Sequence, residues 1–252
     1  MPLLARPTGL CSFAVRRAAL GNYKTTLERE YGGFTFSDYY RVIGKVRAQV
    51  ESLTDRDWPI PDYPEIEKFC KTYEFWAGPR PAYAYMAYLR HHGFPSPLLD
   101  WTRSAQVAAF FAFSKATNRS GGTVAIFATS SPPFKLHGNG MPLVFRYGHY
   151  VKTHRRHALQ QSDYTLCMGF YDEWKVERYD SVFDGLHQQA MCWKFQIPAD
   201  ERQKVLIELD DHNLNAFSLF GSEESLMETL AVREFFLQNS NEQKQKVEST
   251  SA

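Results

Sequence analysis

HHGFPSPLLDWTRSAQVAAFFAFS, residues 91–114, decides how the rest of the chain is read. Gly93 and Pro95 break the helix that precedes them, and SPLLDW is short and apolar enough for a buried strand. The run from about 105 to 116 then places Val107, Ala108, Phe111 and Ala112 on one helical face. A strand therefore turns into a helix at Asp100, Trp101, Thr102, Arg103 and Ser104. Packing alone does not need so many polar side chains at one junction. Such turns present side chains and free backbone N–H groups to a ligand, and a helix start favours anions. This turn is the first candidate site.

Upstream, Phe36, Tyr39, Tyr40, Ile43, Val46, Val50 and Leu53 recur at helical spacing, with Ser37 and Asp38 available for capping. Three prolines in DWPIPDYP, residues 57–64, force a loop or an extended connection, and a second helix is predicted over about 83–90. Downstream, TVAIFA (123–128) reads as a buried strand and SSPPFKLHGNGMP as a loop. HALQQSDYTLCMGF includes another strand. MCWKFQI alternates with Met191, Trp193, Phe195 and Ile197 on one face, KVLIEL reads as a further strand, and SEESLMETLAVREFFLQ is a closing helix with acids in its first turn. The expected fold is α+β: one domain over 1–238, a mixed sheet with flanking helices, and a polar tail over 239–252 too poor in apolar residues to fold.

A chain of 252 residues with 19 Phe, 14 Tyr and 5 Trp has ample material for a core. No apolar run approaches the roughly 20 residues needed to cross a bilayer. Cys11, Cys70, Cys167 and Cys192 lie far apart without a C-x-x-C pair, which signals neither a zinc site nor a disulfide framework and suits a reducing cytoplasm. The net charge of +1 hides a polarised interior. From Trp101 to Ser162 there is no Asp or Glu but eight Lys or Arg and four His, whereas from Asp200 to Glu228 eight acids face only Arg202 and Lys204. Either the two stretches pair or are solvated faces, or the acid-free middle faces an anion such as a pyrophosphate or a nucleic acid. No phosphate-binding glycine loop, GxSxG elbow or HExxH occurs, so P-loop and common hydrolase readings lack support.

The 91–114 segment resembles the signature of the FRG domain, in which a histidine, aromatic, glycine and proline run leads into Leu-Leu-Asp-Trp-Thr and an alanine-rich helix. Two further stretches are similar to that family's later motifs: Arg156, Gln160, Gln161, Ser162, Asp163 and Tyr164, and WKFQIP followed by SLFGSEESL. The resemblance covers roughly residues 1–232. The chain departs from the pattern at Arg90, at Ser96 and Pro97, and at Ser162, and the strand that carries Phe-Arg-Gly is expected before residue 1.

The order of these parts is also similar to that of ADP-ribosyltransferases, and that likeness implies NAD as ligand and a macromolecule as target. It implies Thr102 and Ser104 as hydroxyls that orient the nicotinamide ribose, Arg103 as a phosphate partner, and Gln160 or Gln161 at the later catalytic position. A neutral amide serves an oxocarbenium-like transition state less well than a carboxylate, which leaves Glu223 and Glu224 as alternatives, although first-turn acids also serve as caps. His91, His92, Asp100, Trp101 and Arg156 complete the expected nucleotide pocket. Adjacent histidines on a regular element point apart, which disfavours a shared metal and leaves one to line the pocket. Asp100 either binds a ribose hydroxyl, acts as a base, caps the next helix or pairs with Arg103. Trp101 is either core or stacking platform. By analogy such an enzyme suits a bacterial or prophage defence system. The rival reading is a non-catalytic module that contacts nucleic acid or a protein through the basic middle.

Overall fold

The computed structural model describes residues 34–72, 81–115, 122–130, 142–179, 182 and 191–237, together with the backbone of 11–16. Among these, strands β1 (Cys11–Arg16), β2 (Leu99–Thr102), β3 (Thr123–Ser130), β4 (Leu143–Arg146), β5 (Ser162–Phe170), β6 (Trp174–Val176) and β7 (Met191–Pro198) form one seven-stranded sheet. Its order is β4-β5-β2-β1-β3-β7, with β6 paired to β5. The helices are α1 (Phe36–Thr54), α2 (Tyr63–Cys70), α3 (Tyr83–His91), α4 (Ala105–Ser114), α5 (Arg155–Leu159), α6 (Arg202–Asp211), α7 (Ala216–Phe220) and α8 (Glu223–Val232). None is long and apolar enough to cross a membrane.

The α+β class is as expected, but the sheet is not mixed: every pairing among the described residues is antiparallel. The reason lies in β1. It pairs antiparallel with both β2 and β3, so the strands joined through α4 run in the same direction without touching. KVLIEL is a second correction. It lies within helix α6, where Leu206 and Leu209 bury one face three residues apart against the cluster that contains α4. Arg202 reinforces that docking by donating to the carbonyls of Phe113 (2.9 Å) and Ser114 (3.0 Å), which closes the end of α4. Consecutive Val, Leu and Ile read locally as strand, but tertiary packing overrides propensity. The 239–252 tail and the 131–141 loop lie outside the described residues.

Successive residues of a strand face opposite sides, and residues directly paired share a side. On β5, Tyr164, Leu166 and Met168 join the cluster under α1, α2 and α3, while Cys167 faces the other side with Leu99 and Trp101. On β3, Val124 and Ile126 pack with α4, α6 and α7, while Ala125 and Phe127 share the second side. Both helical clusters therefore sit on one side of the sheet, at opposite ends. Asp100 pairs with Tyr164 and Thr102 with Ser162, so both point to that helical side, where the two clusters part. The fold leaves its opening directly above β2.

Local signals fix the helix ends. Thr35, rather than Ser37 or Asp38, caps α1 by accepting from the Asp38 N–H at 3.0 Å, and Asp55 ends it in the left-handed region. A cap of this kind is worth about 1 kcal/mol. Ser104 caps α4 by accepting from the Val107 N–H, and Ser222 begins α8 with a capping box.

Candidate functional site

A cleft of about 490 Å³ lies over β2 between the two helical clusters. Asp100, Thr102 and Ser162 form its floor, and Arg90, His91 and Gly93 enter from the end of α3. Phe110, Phe111, Ser114 and Lys115 of α4 form the facing wall, and Phe220 and Glu228 close it from the C-terminal helices. Arg156 and Gln160 come from α5 and the residue that follows it.

Asp100 pairs with Arg90, not with Arg103. Arg90 Nε and Nη2 lie 2.8 and 2.7 Å from Asp100 Oδ2, and Asp100 holds the guanidinium firmly charged. Asp100 Oδ1 is buried without a hydrogen-bond partner among the described residues. An unpartnered buried carboxylate oxygen costs roughly 1–3 kcal/mol or more, which a ligand hydroxyl or amine would recover. Arg103 is exposed, and its N–H donates to the Gln161 carbonyl at 3.1 Å.

Thr102 and Ser104 hold the turn. The Thr102 hydroxyl is buried, donates to the Gln160 carbonyl at 2.7 Å and accepts from the Ser104 N–H at 3.1 Å. Gln160 in turn donates through Nε2 to the Leu219 carbonyl at 3.2 Å, tying β2, α5 and α7 together. Gln161 is exposed in the left-handed region at φ 48°, outside the cleft lining. Arg156 is anchored by long hydrogen bonds from Nη1 to the His91 carbonyl and from Nε to the Phe220 carbonyl, both 3.4 Å, with its guanidinium 5.5 Å from the Phe220 ring centre. Trp101 is buried on the opposite side of the sheet, where its indole donates to Thr165 Oγ1 at 2.8 Å, although the residue also lines the cleft.

The two adjacent histidines diverge. His92 is exposed and packs on Tyr88 and His154, with ring centres at 4.4 and 4.8 Å. His91 turns into the cleft and joins a buried chain: His91 Nε2 lies 2.6 Å from Tyr164 Oη, which lies 3.1 Å from His157 Nδ1, while His157 Nε2 lies 2.8 Å from the His149 carbonyl. With neutral rings, one proton arrangement satisfies all three contacts. A carbonyl only accepts, so His157 Nε2 carries the proton and Nδ1 is bare. Tyr164 must then donate to His157 and accept from His91 Nε2–H, which leaves His91 Nδ1 bare. Burial, opposed in part by Asp100, pushes His91 down to about 4, so the ring is neutral near pH 7. Burial also raises Tyr164, which stays a phenol.

Of the residues expected from sequence, His91, Asp100, Trp101, Thr102, Arg156 and Gln160 line this one cleft, whereas His92, Arg103, Ser104 and Gln161 do not. Sequence reasoning missed Arg90, Lys115 and the phenylalanine walls. It also missed Glu228, a carboxylate one turn beyond Glu224 that lines the cleft. The signal available for it was its position beside Ser225 and Thr229, the buried polar face of α8. Among the described residues, no group of three His, Cys, Asp or Glu is placed to hold a metal ion.

The family model of the FRG domain matches residues 36–121, a span that takes in α1 to α4 and the LLDWT turn. Nothing matches among curated proteins or among solved structures.

Proposed function

We propose, from the match of residues 36–121 to the FRG domain model, that the cleft binds NAD or a closely related nucleotide and serves an ADP-ribosyltransferase-type transfer to a macromolecule. The observation that carries this reading is the composition of the one cleft. An orphaned carboxylate oxygen on Asp100 sits among aromatic walls, with Arg156 and Lys115 as cations and Glu228 as a further carboxylate. The volume lies within the usual range for small-molecule sites, about 300–1,000 Å³.

NAD supplies the ADP-ribosyl group: its glycosidic C–N bond breaks, nicotinamide leaves with the electron pair, and the acceptor atom bonds to the ribose carbon as it loses its proton. In this reading Asp100 Oδ1 takes a ribose hydroxyl, Arg156 and Lys115 face the phosphates, and Phe110, Phe111 and Phe220 exclude water around the bases. Glu228 steadies the positive charge that develops on the sugar, the task a neutral Gln160 performs less well. His91, held near 4, is too weakly basic to take a proton efficiently at pH 7 and acts as a hydrogen-bond acceptor through Nδ1. Thr102 and Ser104 act as positioning residues, and Gln160 supports the α5 corner.

The test is incubation of the full chain with NAD labelled in its adenylate half and with cell extract. Release of nicotinamide with transfer of label is the expected result, and Glu228→Gln should lower the rate roughly a hundredfold while the fold is retained. A folded chain that releases no nicotinamide and transfers no label overturns the proposal, and salt-sensitive nucleic-acid binding in the same sample would favour the binding module instead.

A further inference from the structure

A second cavity, of about 600 Å³, lies at the other end of α3 from the cleft. The cleft takes Arg90 and His91 from the end of that helix, and this cavity takes Ala82 to Tyr85 from its start, a separation of roughly 10 Å along the axis. The loop 56–60 and residues 152–153 supply the other walls. Pro59 and Pro61 stiffen the loop and its exit, whereas Pro64 lies in the first turn of α2, and Trp58 turns inward on the loop, 8 % exposed, with its ring centre 5.5 Å from Tyr85 and 4.7 Å from Tyr88.

Two residues of these walls each carry a buried polar atom with no hydrogen-bond partner among the described residues: Trp58 Nε1 and Tyr85 Oη. Both are donors, because an indole N–H only donates and burial pushes the Tyr85 phenol up to about 12, which keeps it protonated. A buried donor left without an acceptor destabilises the fold, and a ligand oxygen would relieve that. The exposed charges of the lining are Arg56 and Lys152 against Asp57 alone, so the rim is net positive, while the Glu51 carboxylate beside it is engaged by the Trp58 backbone N–H at 2.8 Å. The remaining walls, Pro59, Ile60, Tyr83 and Ala84, are mainly apolar.

We propose that this cavity is a second ligand site, independent of the cleft, for a small aromatic anion whose ring packs on the Trp58 wall and whose carboxylate or phosphate oxygens accept from the buried donors and face Arg56 and Lys152. The shared chemistry is a flat apolar ring joined to an anionic oxygen group. A nucleoside monophosphate and an aromatic carboxylate both carry it.

The test is titration of the full chain, followed by ¹H–¹⁵N correlation of the tryptophan indole N–H signals, with Trp58→Phe used to assign the Trp58 peak. The probes are adenosine monophosphate, phenyl phosphate and indole-3-acetate, with inorganic phosphate and indole as the separate halves. At least one intact probe should shift the Trp58 peak saturably, each half should bind at least about tenfold more weakly, and Arg56→Gln with Lys152→Gln should weaken binding about tenfold, the value of one lost charge-assisted contact. Which intact probe binds tighter assigns the anion as phosphate or carboxylate. A Trp58 peak that none of the intact probes moves, or one that moves equally in the Arg56→Gln/Lys152→Gln chain, overturns the proposal. Because both substitutions are at exposed side chains, loss of folding does not confuse the result. NAD turnover in that double variant should stay unchanged, which separates this site from the cleft.

Discussion

Tyr164→Phe is the sharpest perturbation of the cleft wall. The substitution keeps ring and volume, so no cavity opens, yet it removes an oxygen that is buried and touches His91 Nε2 at 2.6 Å and His157 Nδ1 at 3.1 Å. Two hydrogen bonds are lost and two imidazole nitrogens are stranded. An unmade buried polar group costs about 1–3 kcal/mol. His157 is buried and takes the full penalty, whereas His91 borders the cleft and recovers part of its own from solvent. The expected loss is therefore about 2–4 kcal/mol. In urea unfolding, with a slope near the upper end of the usual range of about 1–3 kcal/mol/M, the midpoint should fall by about 1 M with little change in slope. Ring-nitrogen NMR supplies a second readout: His91 should be protonated at Nε2 in the parent chain and lose that preference in the variant. A midpoint that moves by less than about 0.2 M, with the His91 tautomer unchanged, would refute the hydrogen-bond chain.

Three further outcomes follow from the same geometry. The folded-state value of His91, about 4, lies below its unfolded value of 6.5, so its contribution is intact above pH 6.5 and is lost as pH falls toward 4. The slope approaches about 1.4 kcal/mol per pH unit, and His91→Asn should flatten it in unfolding measured at successive pH values; an unchanged slope would show the ring is not held neutral. Thr102→Val should cost about 1–3 kcal/mol by thermal or chemical unfolding, because it strands the Gln160 carbonyl and the Ser104 N–H, and Thr102→Ser should recover most of that; equal losses for both would contradict the assigned role. Gly221 ends α7 at φ 63°, and an added Cβ would meet only the Arg155 side-chain end at 3.0 Å, so Gly221→Ala should cost about 1–2 kcal/mol from backbone strain alone; a much larger loss would mean that Arg155 cannot move aside.

Much of this arrangement was legible from periodicity. Helices α1, α3, α4 and α8 and strands β2, β3 and β5 carry their burial pattern in the sequence. Short elements did not: β4, β6, α5 and α7 are too brief to show a period, and the alternation of Cys11, Phe13 and Val15 with Ser12, Ala14 and Arg16 in β1 went unread, although its place between β2 and β3 fixes the direction of both. The polar turn at Asp100 to Ser104 was visible as a site, but its division of labour was not. Arg103 is the nearer arginine in sequence, yet Arg90 reaches Asp100, because α3 packs on the sheet face to which Asp100 points. Glu228 reaches the cleft through the packing of α8, and its local signal is its place beside the buried Ser225 and Thr229. Trp193 and Phe195 show the reverse case: their alternation reads as buried, but β7 is the last strand in the sheet order and both are exposed.

The central question is whether the cleft over β2 takes a nucleotide. Calorimetric titration of the full chain with NAD, repeated on Arg156→Met, measures this directly. One site is expected, with binding weakened roughly tenfold or more in the variant and retained in Arg56→Gln/Lys152→Gln, since Arg156 is the guanidinium fixed to the cleft wall by two carbonyls. Absence of binding by the folded parent chain, or equal binding by Arg156→Met, would contradict it.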